Sequence, residues 1–242
     1  RAQKEVAEFF NTIDADDWYL KTGNGFPAAC YTVFKMMWYK NHEPDMWHKV
    51  HKVIGTKDYI NFKLTGRIVT DPSYASGTGV YDLEAWSYDK KFIHASGLSS
   101  DVWPDILPST AVLGELLPDV AEKIGLSKNT KVVCGGVDNS CMALGAKNTR
   151  DGRVYTSLGS AAWIAVSSEK PVLDKKYKPY VFTHVIPGMF TSAVSIFSAG
   201  TTYTWVKDQF CELLEEEAQK TSQDVYTLMN LEAEKPPWVQ TS

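Results

Sequence analysis

The chain has 242 residues, with 25 Lys and Arg against 29 Asp and Glu and a formal net charge of −4. That balance, without a basic stripe, argues against a nucleic-acid partner, and no run of about 18 apolar residues is present to cross a membrane. Hydrophobic residues make up 44% and charged residues 22%, as in a folded globular protein, and the length allows one large domain or two.

The chain opens on Arg1 without a Met, directly in a helical pattern, and reads as a piece of a longer protein. Ala2, Val6, Phe9 and Phe10 have helical spacing. Trp18 to Gly25 reads as a short helix closed at Gly23. Tyr31 to Tyr39 is predicted to be a buried helix through Val33, Phe34, Met36, Met37 and Trp38. Pro44 restarts the chain as a helix over Asp45 to Val53, ended by Gly55. Thr56 is expected to cap the next helix, which runs to Leu64 and ends at Gly66. Arg67 to Gly79 is polar and turn-rich. Asp82 to His94 is expected to be helical with Trp86, Tyr88 and Phe92 in its pattern, and Trp103 to Pro108 a connector. Ala111 to Gly114 reads as a strand and Asp119 to Gly125 as a helix.

Val132-Val133-Cys134 reads as a buried central strand, turned by Gly135-Gly136 into a helix whose buried face holds Cys141, Met142, Ala143, Leu144 and Ala146. From Gly152 the period changes. Arg153 to Leu158 and Ala161 to Ser167 read as a hairpin around Gly159-Ser160, and Tyr180 to Val185 with Met189 to Phe197 as a second one. A helix from Thr201 or Thr202 is expected to run through Trp205, Val206, Phe210 and Leu213-Leu214, with Glu215 to Glu217 in solvent. Another spans Thr221 to Leu231 and is closed by Pro236-Pro237. Helices dominate before residue 131 and strands after it, which places a domain boundary near Asn148 to Gly152.

The strand–turn–helix at 131–147 carries the main chemical candidate. It lifts the Asp138 carboxylate to the end of a strand, where it can take a proton from a hydroxyl. The same position suits a plain helix N-cap, and the local pattern leaves both roles open. Three further stretches have small residues and hydroxyls that could meet a ligand: 70–79, Tyr155 to Ser160, and Phe197 to Thr202. Read alone, each is more simply a solvated loop, a plain hairpin or a cap. His48 and His51, three apart on the expected helix, have no third ligand nearby, and no metal site is predicted. The four cysteines, Cys30, Cys134, Cys141 and Cys211, have no metal or redox spacing, Cys134 and Cys141 sit in apolar surroundings, and no signal peptide is visible. A reduced, cytoplasmic compartment is expected.

Taken together, these residues resemble the FGGY carbohydrate kinases. Lys57 to Gly66 resembles the family's KDYxxxxLTG segment, and Thr70-Asp71 through Thr78 its TDxSxASGT loop. Gly135-Gly136-Val137-Asp138-Asn139 is similar to the GGxDN/Q motif, whose Asp is the catalytic base. Ser157-Leu158-Gly159-Ser160 is similar to the SLGTS phosphate loop, with Ser160 at the Thr position. Ser198-Ala199-Gly200 with Trp205 resembles the opening of the first nucleotide-side helix. The set is closest to xylulokinase-like members.

The resemblance implies an α/β, RNase H-like, actin-type two-domain fold, here incomplete. It implies a DxGT motif before Arg1 and an adenosine motif after Ser242. Residues 1–150 are then the remainder of the sugar-binding domain and 151–242 the start of the nucleotide-binding domain, with sugar and ATP in the cleft between them. Asp138 is expected to be the general base. Asn139, Cys30, Tyr31, Ser76 and Gly77 are expected to contact a ketose such as xylulose. Gly159, Ser160, Gly200, Thr201 and Thr204 are expected to contact ATP, with Mg²⁺ bridging its phosphates. The partners implied are a small sugar and ATP, with no nucleic acid and no membrane, and a homodimer is left open. The competing reading is a kinase-like sugar-binding or regulatory protein that transfers no phosphate.

Overall fold

The computed structural model describes residues 1–25 and 27–235, so the expected stop at Pro236-Pro237 lies outside the described residues. By proximity the chain forms two units. The first is Arg1–Tyr155 with Ala165–Val194, and the second is Thr156–Ile164 with the chain from Ser195 onward.

The first unit begins with α1 (Gln3–Phe10), α2 (Ala15–Thr22) and α3 (Thr32–His42), with a 3₁₀ turn at Ala28–Cys30 between the last two. The carboxylate of Asp14 accepts from the N–H groups of Asp16 and Asp17 and so starts α2. The apolar stripes of the three helices meet in an aromatic core. Phe9, Trp18 and Phe34 are completely buried. Phe34 stands edge-on to Phe9 at 5.2 Å and to Trp18 at 5.8 Å, the geometry that aromatic quadrupoles favour. Trp18 Nε1 donates to the Gly79 carbonyl at 2.8 Å, and Val33 N–H donates to Thr78 O at 2.9 Å. The core thereby holds one end of the 70–79 stretch.

The chain continues through α4 (Pro44–Trp47), α5 (Thr56–Thr65), β1 (Val69–Thr70), α6 (Pro72–Ala75), β2 (Tyr81–Asp82), β3 (Ser87–Tyr88) and α7 (Lys90–Ser96). β4 (Asp105–Ile106), β5 (Val112–Glu115), α8 (Pro118–Ile124), β6 (Lys131–Val133) and α9 (Asp138–Gly145) follow. β1 pairs in parallel with β4, β2 antiparallel with β3, and β5 antiparallel with β6. β7 (Arg153–Leu158), β8 (Ala162–Ser168), β9 (Tyr180–Thr183) and β10 (Phe190–Ile196) form a four-stranded sheet in the order β7-β8-β10-β9. β9 and β10 are antiparallel, with Phe190 opposite Thr183. The division between the units falls within β7, β8 and β10. The second unit adds α10 (Gly200–Phe210), α11 (Glu212–Thr221) and α12 (Val225–Ala233).

Several expectations are corrected. Asp82 to Tyr88 is a hairpin, because the Asp82 carboxylate accepts from Glu84 N–H and Ala85 N–H and turns the chain before a helix can start. Helix begins only at Lys90, under the Asp89 cap. The helix after Pro44 ends at Trp47. Beyond it Val53 N–H donates to Val102 O, and His48 and His51 do not share a helix. Residues 67–79 include β1 and α6, and the 103–108 connector contains β4. The residue before α5 is Gly55 rather than Thr56, and its N–H is accepted by the Asp58 carboxylate. The expected long helix from 201 is broken at Cys211, whose φ is −113°. In β6 and α9 several of the apolar residues face outward. Val133, Met142 and Leu144 are 50%, 43% and 48% exposed, and Cys141 is exposed too, whereas Cys134 and Ala143 are fully buried.

Truncating Phe9 to Ala should cost about 3–5 kcal/mol of unfolding free energy, the usual loss for a buried aromatic whose neighbours cannot collapse into the gap. Urea unfolding checks this, and a loss below about 1 kcal/mol would mean that Phe9 is not at the centre of the α1–α3 core.

Candidate active site

Lys57, at the start of α5, is the only cation at the junction of the three motif stretches among the described residues. Its Nζ lies 2.6 Å from Asp58 Oδ1, 3.0 Å from Asp71 Oδ1 and 3.0 Å from the Cys134 carbonyl. Both carboxylates are buried. Burial works against the ammonium, but Asp71 and Asp58 outweigh it and hold the Lys57 pKa above the usual lysine value. The second oxygen of Asp71 accepts from Ser73 N–H and Ser73 Oγ, and from Ser109 Oγ at 2.8 Å.

This network fixes the Gly135-Gly136 turn from several sides. The Cys134 carbonyl accepts from Lys57 and from Asn61 Nδ2, the latter at 2.8 Å. Gly135 N–H donates to Ser109 O at 2.8 Å, and Val137 N–H donates to Ser73 Oγ at 2.9 Å. Gly135 has φ +76°, in the left-handed region where a side chain is strained. At Gly136 a Cβ would sit 2.2 Å from Val185 Cγ1, so only glycine fits. Beyond the turn, Ser140 Oγ donates to Thr183 O at 3.0 Å and Tyr155 OH to Asn139 O at 3.2 Å.

Asp138 is the first residue of α9, and Val137 rather than Asp138 holds the cap position. Its carboxylate accepts from Asn139 N–H at 2.8 Å and is otherwise exposed, with no second hydrogen-bond partner among the described residues. The carboxylate lines an open groove of about 520 Å³ with Thr56, Lys57, Ile60, Tyr74 and Cys141. A fixed backbone with a free carboxylate is what a proton acceptor needs.

The other expected sugar contacts are placed unevenly. Cys30 is exposed, at the end of the 3₁₀ turn. Tyr31 is buried against Trp18, and burial pushes its phenol pKa far up. Ser76 is completely buried, its hydroxyl donating to Ser73 O at 2.7 Å and its carbonyl accepting from Asn24 Nδ2 at 2.8 Å. Gly77 is half-buried.

In the second unit the two glycine stretches interlock. Gly200 N–H donates to Gly159 O at 3.0 Å, and Ala199 N–H to Ser160 O at 2.8 Å. A Cβ at Gly200 would fall 2.5 Å from Gly159 O. Thr201 N–H also turns to Ser160 O, at 3.4 Å. The first N–H groups at the start of α10 are therefore taken by carbonyls, so the expected anion site at this helix end does not rest on them. What faces the adjoining open groove of about 570 Å³ is Ser160, Gly200, Thr201, Thr204, Trp205 and Asp208. The groove gathers Ser160, Gly200, Thr201 and Thr204 from the expected nucleotide set, with Gly159 bonded directly behind it.

Sequence reasoning missed the roles of Lys57, Asp71, Ser73 and Ser109. The available signal was a Lys-Asp and a Thr-Asp pair, each at the edge of a segment that must pack.

Residues 1–145 match the N-terminal domain of the FGGY family of carbohydrate kinases. The xylulose kinase of Bacillus subtilis is 34% identical over 180 residues, covering 74% of this chain and 36% of that protein. The autoinducer-2 kinase of Salmonella typhimurium is 29% identical over 98% of this chain and 45% of its own length. The crystal structure of xylulose kinase from Rhodospirillum rubrum superimposes with a TM-score of 0.84 at 28% identity, over 98% of this chain and 47% of that one. The chain thus spans less than half the length of these relatives. Its fold is that of the sugar kinases, within the actin-like ATPase fold family.

Replacing Lys57 by Met should destabilise the first unit by about 3–5 kcal/mol, because two buried carboxylates lose their counter-ion. The wild type should lose stability as pH rises above about 10.4, the unfolded lysine value, since the folded form keeps its proton to higher pH. The buried phenols of Tyr31, Tyr81 and Tyr88, also pushed up by burial, act in the same direction. The alkaline slope should therefore shrink in Lys57→Met without vanishing. Urea unfolding between pH 8 and 11.5, with tyrosinate absorbance in parallel, tests this, and an unchanged slope would remove Lys57 from the account.

Proposed function

Because the chain belongs to the FGGY family of carbohydrate kinases, we infer that it carries the acceptor-binding part, and the start of the nucleotide-binding part, of an ATP-dependent sugar kinase. Residues 1–150 are assigned to the sugar side and 151–242 to the nucleotide side. The observation that carries this reading is Asp138 itself, an exposed carboxylate on a backbone pinned from Cys134 to Ser140.

In this reading Asp138 accepts the proton of the attacking sugar hydroxyl. Asn139, half-buried behind it, hydrogen-bonds a neighbouring hydroxyl. Cys30, Tyr31, Ser76 and Gly77 belong to the sugar wall, Ser76 through packing, since its hydroxyl already has a partner. Gly159 and Ser160 meet the γ-phosphoryl, and Gly200, Thr201 and Thr204 flank the nucleotide. Catalysis here is mostly positioning and charge neutralisation, as phosphoryl transfer requires little covalent work from the protein. Mg²⁺ arrives with ATP and is held chiefly by phosphate oxygens and water. Among the described residues no group of three or more His, Cys, Asp or Glu offers it a cage. The acceptor is a ketose such as xylulose, supported by the xylulose kinase relatives. The autoinducer-2 kinases match a larger share of the chain and place autoinducer-2 in the acceptor panel.

The test is a coupled ADP-release assay with Mg-ATP on the protein that carries this chain, against D-xylulose, other ketoses, polyols and autoinducer-2. Asp138→Asn should keep acceptor binding and turn over about 10²-fold more slowly, the scale of a lost general base. An Asn variant as fast as wild type would refute the assignment of the base. Acceptor binding without any ADP release from the wild type would instead favour the non-transferring, kinase-like reading.

A further inference from the structure

Three consecutive residues at the end of β9 meet the helix that carries Asp138. Thr183 O accepts from Ser140 Oγ at 3.0 Å, in the first turn of α9. Val185 lies so close to Gly136, just before the helix, that a Cβ there would stand 2.2 Å from its Cγ1. Between them His184 is 1% exposed, and its ring faces the backbone of Asn148. Asn148 follows α9 and is tied to it, its N–H donating to Ala143 O at 2.8 Å. The triplet therefore touches the chain before α9, within its first turn and beyond its end.

His184 also closes the turn to which it belongs. Its N–H donates to Met189 O at 2.8 Å, and Met189 N–H donates to Ile186 O at 3.2 Å. Its ring Nδ1 accepts from Ile186 N–H at 3.0 Å. A side chain that accepts the N–H two residues on makes the ring of an Asx turn, here with an imidazole in place of a carboxamide. Burial lowers the His184 pKa, against the Asn148 backbone, which raises it, so the ring is uncharged and Nδ1 stays an acceptor. The bond spans Val185 and so fixes the side chain that presses on Gly136.

We propose that His184 is a positioning residue for Asp138. By holding Ile186 N–H it seats Val185 on Gly136 and sets the direction in which α9 presents the carboxylate. This rests on the reading of Asp138 as the base. The Lys57 network pins the strand side of the Gly135-Gly136 turn, and the β9 triplet pins the helix side. A general base works over a hydrogen-bond distance, so a displacement of about 1 Å at the start of α9 costs rate more than affinity.

The test compares His184→Asn with His184→Phe in the full protein that carries this chain. Asn keeps an acceptor two bonds from Cβ, where Nδ1 stands, and forms the same turn without a ring. Phe fills the place of the ring and accepts nothing. In the ADP-release assay Phe should lower kcat about tenfold or more and Asn by less than about twofold, with acceptor KM moved less than about threefold in both. A role confined to packing predicts the reverse order, because Asn leaves a cavity and Phe does not. Amide hydrogen exchange of the ligand-free protein is read in parallel. Exchange over 136–140 should quicken about tenfold in Phe and stay at the wild-type rate in Asn, with α2 unchanged in both. If the Phe variant does not fold, Val185→Ala takes its place, since it shortens the wedge at a half-buried position and should change kcat and exchange in the same sense. The proposal is overturned if kcat is unchanged by Phe or its substitute, if Asn loses as much as Phe, or if exchange over 136–140 is the same in all variants. A wild type that releases no ADP removes the transfer reading instead, and the order of exchange rates still decides whether His184 holds the turn.

Discussion

Among the described residues Lys57 is the one cation that three separate sequence stretches share. It is half-buried between the buried Asp58 and Asp71, and its remaining donor reaches the backbone at Cys134. Such an arrangement gains little net stability over an apolar cluster of the same volume, because desolvating three charges offsets most of their attraction. What it provides is registry. Two buried carboxylates sharing one lysine have few alternative partners, so α5, the 70–79 stretch and the 131–138 stretch can meet in only one way without leaving a charge unpaired. Asp71 extends the constraint through Ser73 to Val137 N–H and through Ser109 to the loop before β5.

The benefit appears at Asp138. In the proposed role of proton acceptor, a carboxylate cannot be tied up by strong bonds of its own, so its position has to come from the backbone on either side. Here the neighbours carry the bonds and the Asp138 side chain keeps one, to Asn139 N–H. The conformational entropy of the turn is lost when the protein folds rather than when a ligand arrives, the usual meaning of preorganisation at a site.

Most of this architecture was legible in the sequence where the determinants are local. α1 to α3, α5 and α8 form where they were expected, α3 running on to His42, with Gly23, Gly66 and Gly125 after α2, α5 and α8. β7 to β10 follow the change of period after Gly152. What was illegible depends on distant partners or on one side chain overriding a pattern. Asp82 turned an apparent helix into a hairpin by accepting two N–H bonds. The outward-facing Val133, Met142 and Leu144 look in sequence like core, because periodicity reports which residues are apolar and not what lies opposite them. Asp138 could be read as base or cap from the local pattern, and the cap position goes to Val137, which no local rule indicates. The Lys57 network joins residues up to 77 apart, and no local rule pairs them.

The division of the chain has a consequence for heredity rather than for energy. The polypeptide passes from one unit to the other at Tyr155–Thr156, returns at Ile164–Ala165 and leaves again at Val194–Ser195. Neither unit is therefore a contiguous cassette. Recombination with a single breakpoint anywhere in 156–194 would hand each offspring protein portions of β-strands bred against a different partner sequence. Exchange between related genes is tolerated most readily outside that interval, and the strands within it must be inherited together.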